Sequence, residues 1–192
     1  MRETLLFCVP HRQVVFVISR MLRIFFRYKR WLLEDLCQAA VSALLKYLQA
    51  TTGAELPGIV ASIQTLGEKT NFYAHLHLLV TEGGEDSEGR FHHLAEFQDS
   101  FLAKFFSHEV FSLLFRRKLI SEAVVEKIMG WRHSGFSVHS KVMAQTRQGL
   151  SGWENTLFDR SYSWNASPSM KGKGRSAAGM GKSRKRWSTW II

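Results

Sequence analysis

The fold is constrained most strongly by an alternation of two hydrophobic periods along the first three-quarters of the chain. Runs of β-branched and aromatic residues predict strands at residues 13–18, 58–65, 74–81 and 136–143. Apolar residues that recur every three to four positions predict helices at residues 28–50, 97–118 and 121–131. The order β, α, β, β, α, α, β predicts an α+β fold, an antiparallel sheet with helices packed on one face.

Two connections between these elements have distinct compositions. Residues 67–73 are polar and short enough for a hairpin-type loop between two neighbouring strands. Residues 83–89 combine three glycines with three acidic side chains, which predicts a flexible acidic loop.

Charge divides the chain near residue 146. Residues 1–146 contain 17 basic and 14 acidic residues, whereas residues 147–192 contain nine basic and two acidic ones. The second stretch keeps no hydrophobic period, so we expect a folded domain over 1–146 and a low-order basic tail over 147–192. One hypothesis makes this tail the product of a frameshift, since Arg, Gly, Ser and Trp share GC-rich codons. The alternative is a genuine basic tail that follows a DNA backbone.

Cysteine content and hydropathy exclude several classes of protein. The two cysteines, Cys8 and Cys37, are 29 residues apart, which excludes a disulfide framework and a thiolate zinc finger within this chain. The apolar stretches are interrupted by charges, so we expect no membrane span, no secretory signal and a cytoplasmic protein. Phosphate-loop, dinucleotide-binding and serine-hydrolase motifs are absent from the sequence, which argues against those activities.

The most informative residues are His75 and His77, which flank Leu76 inside a hydrophobic strand pattern. Residues i and i+2 of a strand project to the same face, so the two imidazoles are predicted to lie side by side. Such a pair suits metal ligation, although two partly exposed surface histidines would give the same pattern.

The sequence around this pair resembles a known family in three places. The strand with His75 and His77 is preceded by residues 63–67 (IQTLG) and followed by residues 79–83 (LVTEG). Residues 9–12 (VPHR) precede the first strand, and residues 131–139 (WRHSGFSVH) lead into the last. Together these motifs resemble the HUH transposases of two-tyrosine, rolling-circle insertion sequences, from about residue 5 to residue 142.

This resemblance implies a DNA transposase that nicks and joins single-stranded DNA. In that family the histidine pair holds Mg²⁺ or Mn²⁺ against the scissile phosphate, and a tyrosine hydroxyl attacks. Because Mg²⁺ prefers oxygen ligands, a third polar ligand is required. Gln64 is our candidate, with Glu68 as the second choice, provided that the strand register brings Gln64 and Ser62 onto the histidine face. An edge glutamine bonded to water or backbone remains the alternative.

The chain departs from the family where the nucleophile is expected. The family's paired tyrosines lie downstream of the histidines, whereas only Tyr162 lies downstream here, with no partner three or four residues away. Tyr162 is therefore a weak candidate and the catalytic residue stays unknown. The family's cysteine-rich zinc-binding segment is also missing, as if the chain were the central piece of a transposase. The alternative function is a degenerate, inactive fragment that at most binds nucleic acid.

Basic residues mixed with aromatic ones provide the candidate DNA-binding surface. Acidic residues are absent from residues 4–33. Phosphate contacts together with base stacking suit single-stranded DNA, although a solvated basic helix end is the alternative. From the family signature we expect DNA contacts by Arg132 and His133 as well. The predicted DNA-binding residues of the first cluster are Arg20, Arg23, Arg27, Lys29 and Arg30.

Overall fold

The computed structural model describes residues 10–53, 57–67, 71–93, 96–144 and 189–191. Its strands are β1 (His11–Val17), β2 (Ile59–Leu66), β3 (Phe72–Thr81), β4 (Gly83–Glu85), β5 (Phe91–His93), β6 (Ser137–Ala144) and β7 (Thr189–Ile191). Its helices are α1 (Arg23–Tyr28), α2 (Leu32–Thr52), α3 (Asp99–Arg116) and α4 (Glu122–Met129), and a 3-10 turn (Arg20–Leu22) precedes α1.

Five strands form the main sheet, in the order β6-β1-β3-β2-β7. Strands β6, β1, β3 and β2 are antiparallel to their neighbours, whereas β7 pairs with β2 in parallel. Strands β4 and β5 form a separate two-stranded sheet. The predicted α+β class, with an antiparallel sheet and helices packed against it, is confirmed.

The core lies between one face of this sheet and helices α2 and α3, which also pack on each other. In α2 the residues spaced four apart on one stripe, from Leu36 to Leu48, are fully buried. The sheet contributes large fully buried side chains to the same core, among them Phe16 and Leu76. Each such side chain contributes about 1.5–3 kcal/mol by leaving water, so this face accounts for much of the stability.

The predicted helix over residues 28–50 is wrong at its start, because α1 ends at Tyr28 and α2 begins at Leu32. The chain leaves helical geometry at Lys29, with φ −116° and ψ 74°. Phe26 and Leu32 are both fully buried, although six positions on one continuous helix would place them about 120° apart. The break lets both side chains reach the core.

The predicted acidic loop over residues 83–89 is also wrong, because β4 and β5 pair across it. Asp86 holds the turn, since its Oδ1 accepts the backbone N–H groups of Glu88 and Arg90. Its Oδ2 accepts hydrogen bonds from the side chains of Arg90 and His92. An aspartate that satisfies turn N–H groups in this way orders a segment whose composition resembles a loop.

The boundary near residue 146 and the basic tail over 147–192 lie outside the described residues, except for β7. Those three residues pair with Ile59, Val60 and Ala61 of β2, a strand that the sequence analysis did not predict. Within the described part of the chain, we find no helix that combines the length and the apolar character needed to span a membrane.

Candidate functional site

His75 and His77 lie side by side on the sheet face opposite helices α2 and α3. Their ring centroids are 5.0 Å apart at an interplanar angle of 66°. The intervening Leu76 and its neighbours Ala74 and Leu78 point to the other face and are fully buried in the core. Both histidines are half-buried, as the i, i+2 spacing predicts for an open face.

The ring of His75 is held in one tautomer by the backbone. Its Nδ1 lies 2.8 Å from the carbonyl oxygen of Tyr73, which can only accept, so Nδ1 carries the proton. The lone pair of Nε2 then points away from the strand. Metal-binding histidines commonly have this arrangement, in which the second ring nitrogen donates to a carbonyl group.

Gln64 lies directly opposite His75 in the antiparallel pairing of β2 and β3. The register therefore brings Gln64 and Ser62 onto the histidine face, as the Gln64 hypothesis requires. Oε1 of Gln64 lies 3.1 Å from Nε2 of His75. With Nδ1 protonated, Nε2 can accept a hydrogen bond from Gln64 when the amide is turned so that its nitrogen faces the ring. The same spacing also fits two neighbouring ligands of one octahedral cation, which are about 3.0 Å apart.

His77 presents a buried nitrogen without a partner. Its Nδ1 lies 2.9 Å from Nε2 of Gln13 on β1, and its Nε2 has no hydrogen-bond partner among the described residues. Burial, together with the charge of the neighbouring His75, lowers the pKa of the His77 imidazole to about 4. The ring is thus neutral near pH 7, the protonation state in which imidazole binds metals.

The orientation of Gln13 decides which nitrogen of His77 has a lone pair. When the Gln13 amide donates to Nδ1, as here, Nε2 carries the proton. Turning the amide so that its oxygen accepts from Nδ1–H frees Nε2 for a metal. The sequence pattern alone did not single out Gln13. Its one signal was that it is a polar residue inside the β-branched run of β1.

The two imidazoles and the amide oxygen could hold a divalent cation. These donors carry no negative charge, so they leave the cation's charge uncompensated, and Mg²⁺ in particular prefers oxygen ligands to imidazole. No group of three or more His, Cys, Asp or Glu side chains that could hold a metal occurs in the described ranges. Glu68, the second candidate for the third ligand, lies outside them.

The basic residues predicted to bind DNA occupy two neighbouring segments. Arg20, Arg27, Lys29 and Arg30 are exposed around α1. Arg23 is half-buried, and its guanidinium lies over the ring of Tyr73, with Cζ 4.0 Å from the ring centroid.

Arg132 and His133 are exposed in the loop before β6. That loop lies against the first segment at Gly135, where an added Cβ would come within 3.2 Å of Ser19. Gly135 has φ +77°, a conformation that favours glycine. This glycine of the signature motif therefore allows the two loops to approach each other closely.

Arg12, from the motif before the first strand, also serves the fold. Its guanidinium bonds to Glu82 and to the backbone oxygen of Ser140, and lies over the ring of Phe97. These contacts fix β1 to both neighbouring strands. We assign no ligand role to Arg12, because its donors are engaged in the fold.

The tyrosines of the described residues occupy different environments. Tyr47 is buried, donating from its hydroxyl to the backbone oxygen of Glu96 and accepting from the N–H of Gln98. Tyr28 is 74% exposed on α1. Tyr73 lies on the histidine face, with its ring centroid 5.2 Å from that of His75. Tyr162 lies outside the described residues.

Comparison with known proteins identifies relatives over this part of the chain. Residues 58–178 match the protein family Y2_Tnp, described as "Putative transposase". The transposase for insertion sequence element IS801 of Pseudomonas savastanoi pv. phaseolicola is 36% identical over 80 residues. That alignment covers 42% of this chain and 19% of the relative, so it spans about a fifth of the relative's length. No solved structure matches.

The family match includes His75, His77 and Gln64 and continues beyond residue 146. The expectation that family similarity ends near residue 142 is therefore wrong. The frameshift origin of residues 147–192 stays a hypothesis, and Tyr162 lies within the matched stretch.

Proposed function

The chain belongs to the Y2_Tnp family of transposases, and from that premise we propose that it is the metal- and DNA-binding part of an insertion-sequence transposase. The observation that carries this proposal is the open-face cluster of His75, His77 and Gln64. Nε2 of His75 and Oε1 of Gln64 have the spacing of two cation ligands, and Nε2 of His77 is buried without a hydrogen-bond partner among the described residues.

The residues that would hold the metal are Nε2 of His75, Nε2 of His77 and Oε1 of Gln64. A bound Mg²⁺ or Mn²⁺ supplies a Lewis acid that polarises a phosphoryl oxygen. The Tyr73 carbonyl orients His75, and the Gln13 amide would orient His77 once it is turned so that its oxygen accepts from Nδ1–H. A DNA phosphate would supply the negative charge that these donors lack.

Single-stranded DNA is the partner that best fits the surroundings of this cluster. Exposed arginines and lysines around α1 suit a polyanion, and exposed Tyr28 and Trp31 are available for base stacking. The loop with Arg132 and His133 adds further positive charge near the same end of β1. Contacts of charged side chains with phosphates are insensitive to base sequence. Because such contacts release counterions, we expect the affinity for DNA to fall steeply with salt.

The second candidate function is binding without strand cleavage. Of the tyrosines that the structure describes, Tyr47 is bonded in the core, Tyr28 is on the exposed side of α1, and Tyr73 lies beside His75 on strand β3. None of the three belongs to a pair on one helix face near the histidines. A single downstream tyrosine, Tyr162, replaces the family's pair, which favours a chain that binds metal and DNA without forming a covalent adduct.

The metal site is tested by thermal unfolding of the full chain with and without Mn²⁺. A ligand at one hundred times its Kd stabilises the folded state by about 2.7 kcal/mol, so the unfolding temperature should rise. His75→Ala should abolish this rise, whereas His108→Ala, an exposed histidine on α3, should retain it. An equal rise in both variants would contradict the metal site.

Cleavage is tested by incubating the protein with single-stranded DNA and Mn²⁺ and separating the products under denaturing conditions. We expect DNA binding without a protein–DNA adduct. An adduct that is mapped to Tyr162 and lost in Tyr162→Phe would favour the complete nicking reaction over the second candidate function.

A further inference from the structure

Arg23, Tyr73, His75 and His77 form one continuous row along the open face of the sheet. The guanidinium of Arg23 lies 4.0 Å from the Tyr73 ring centroid, and the Tyr73 ring lies 5.2 Å from that of His75. The two histidine rings follow at 5.0 Å. Helix α1, which carries Arg23, contacts β3 at this end of the row.

The guanidinium of Arg23 is oriented but leaves hydrogen-bonding capacity unused. Its Nη2 donates to the backbone oxygen of Ile18 at 3.3 Å, and its Nε is buried without a partner among the described residues. A guanidinium carries five N–H donors, and a buried donor without a partner costs about 1–3 kcal/mol. The buried Nε is out of reach of a ligand, so a ligand would bind through the accessible part of this half-buried guanidinium.

We propose that Arg23, supported by the ring of Tyr73, binds a phosphodiester of the DNA strand held at the histidine pair. This inference rests on the proposed function and adds a second anchoring point beside the metal. Arg23 is the phosphate-binding residue, because a planar guanidinium matches two phosphate oxygens. Tyr73 is a positioning residue, because its ring holds the guanidinium plane through a cation–π contact.

The arrangement favours a nucleic acid strand over a single phosphate group. Arg20 and Arg27, three positions before and four positions after Arg23, lie on the same side of the turn and helix that carry it. Both are exposed, so a chain of phosphates can continue along α1 from the Arg23 contact. Inorganic phosphate would engage Arg23 alone and would bind weakly.

The test measures binding of a fluorescent oligothymidylate of about 20 nucleotides to the full chain at several salt concentrations. Arg23→Gln should weaken binding about tenfold and reduce the salt slope by about 0.7, the value for one lost contact to a single strand. The matched control is Lys127→Gln, which removes one exposed charge on α4. Equal affinities and salt slopes for these two variants would overturn the proposal.

Two further variants separate charge from geometry. Arg23→Lys keeps the charge and should still lose several-fold in affinity, because an ammonium lacks the planar pair of donors. Tyr73→Leu should weaken binding although it removes no charge, because it removes both the ring and the hydroxyl that bonds to Arg23. Tyr73→Phe keeps the ring and should lose less affinity than Tyr73→Leu. Full affinity in Tyr73→Leu would refute the positioning role of the ring.

Two additional measurements distinguish this proposal from the metal site and from free phosphate. Stabilisation by Mn²⁺ should persist in Arg23→Gln, because the histidines and Gln64 are unchanged. If the unaltered chain binds DNA and Mn²⁺ while Arg23→Gln matches the Lys127→Gln control, only the Arg23 inference fails. Inorganic phosphate at the same phosphate concentration should not displace the oligonucleotide, and displacement would mean that the site takes free phosphate.

Discussion

The two faces of the central sheet are built from alternating residues of the same strands, and they differ in almost every physical property. On β3 the helix-covered face carries Ala74, Leu76 and Leu78, all fully buried, whereas the open face carries Tyr73, His75 and His77, all half-buried. The covered face stabilises the fold by removing apolar surface from water. The open face contributes less apolar burial, so its residues are free to be polar. Over residues 73–78, β3 thus separates stability from chemistry by residue parity, whereas Leu79 and Thr81, which share the parity of the histidines, are buried.

The largest effect should come from a cavity on the covered face. Leu76→Ala removes a fully buried side chain from the centre of the core, and we expect a loss of about 2–5 kcal/mol in the free energy of unfolding. His75→Ala, one residue away on the open face, should cost less than half as much in the absence of metal. Denaturant unfolding of both variants without divalent ions measures the difference. Similar losses would mean that the open face contributes as much to the free energy of unfolding as the covered face.

A smaller effect, confined to the open face, should follow from changing the residue that orients His77. In Gln13→Glu a carboxylate replaces the amide and can only accept, so Nδ1 of His77 must carry the proton and Nε2 is freed. Carboxylate–histidine pairs of this kind also raise the basicity of the ligand. We expect Mn²⁺ to bind about tenfold more tightly than in the unaltered chain.

The control for this prediction is Gln13→Leu, which removes the hydrogen bond without adding a charge. It should bind Mn²⁺ more weakly than the Glu variant, because neither tautomer of His77 is then selected. Calorimetric titration at pH 7.5 compares the three proteins. If the Glu and Leu variants bind equally, the side chain at position 13 does not set the His77 tautomer.

The covered face could be predicted from the sequence because the spacing of apolar residues in a strand or helix shows which side chains are buried. The four antiparallel strands of the main sheet and the helices α2, α3 and α4 correspond to predicted segments, with shifts of a few residues at their ends. The errors occur where local contacts override composition. Asp86 orders a hairpin that resembles a loop, and tertiary packing divides the predicted first helix at Lys29.

The open face was predictable only in part, because its contacts depend on pairing between strands. The spacing of His75 and His77 fixes their common face within one strand. The position of Gln64 opposite His75 depends on the register of β2 with β3, which the sequence alone leaves open. The contacts of Gln13 with His77 and of Arg23 with Tyr73 join elements more than 40 residues apart, and no local pattern predicts them.

The last expected effect is a pH dependence of stability that belongs to the open face. The pKa of His77 is lowered to about 4 by burial and by His75, whereas an unfolded chain titrates near the ordinary value of 6.5. Between these two values the unfolded state binds a proton that the folded state does not. The free energy of unfolding therefore decreases as the pH falls through this window, and below the folded pKa no further loss comes from this group.

His77→Gln removes this titration and should make stability less dependent on pH between 7.0 and 5.0. Denaturant unfolding of both proteins at these two pH values, without divalent ions, measures the change, and restricting the range to pH 5.0 and above limits the contribution of carboxylates. On the covered face, Leu78→Val alters packing without altering a titratable group, so its loss of stability should be the same at both pH values. A His77→Gln variant that retains the full pH dependence would show that the proton is excluded elsewhere. A lowered pKa of His77 would then no longer distinguish the open face from the covered one, although the orientation of the two histidines would be unchanged.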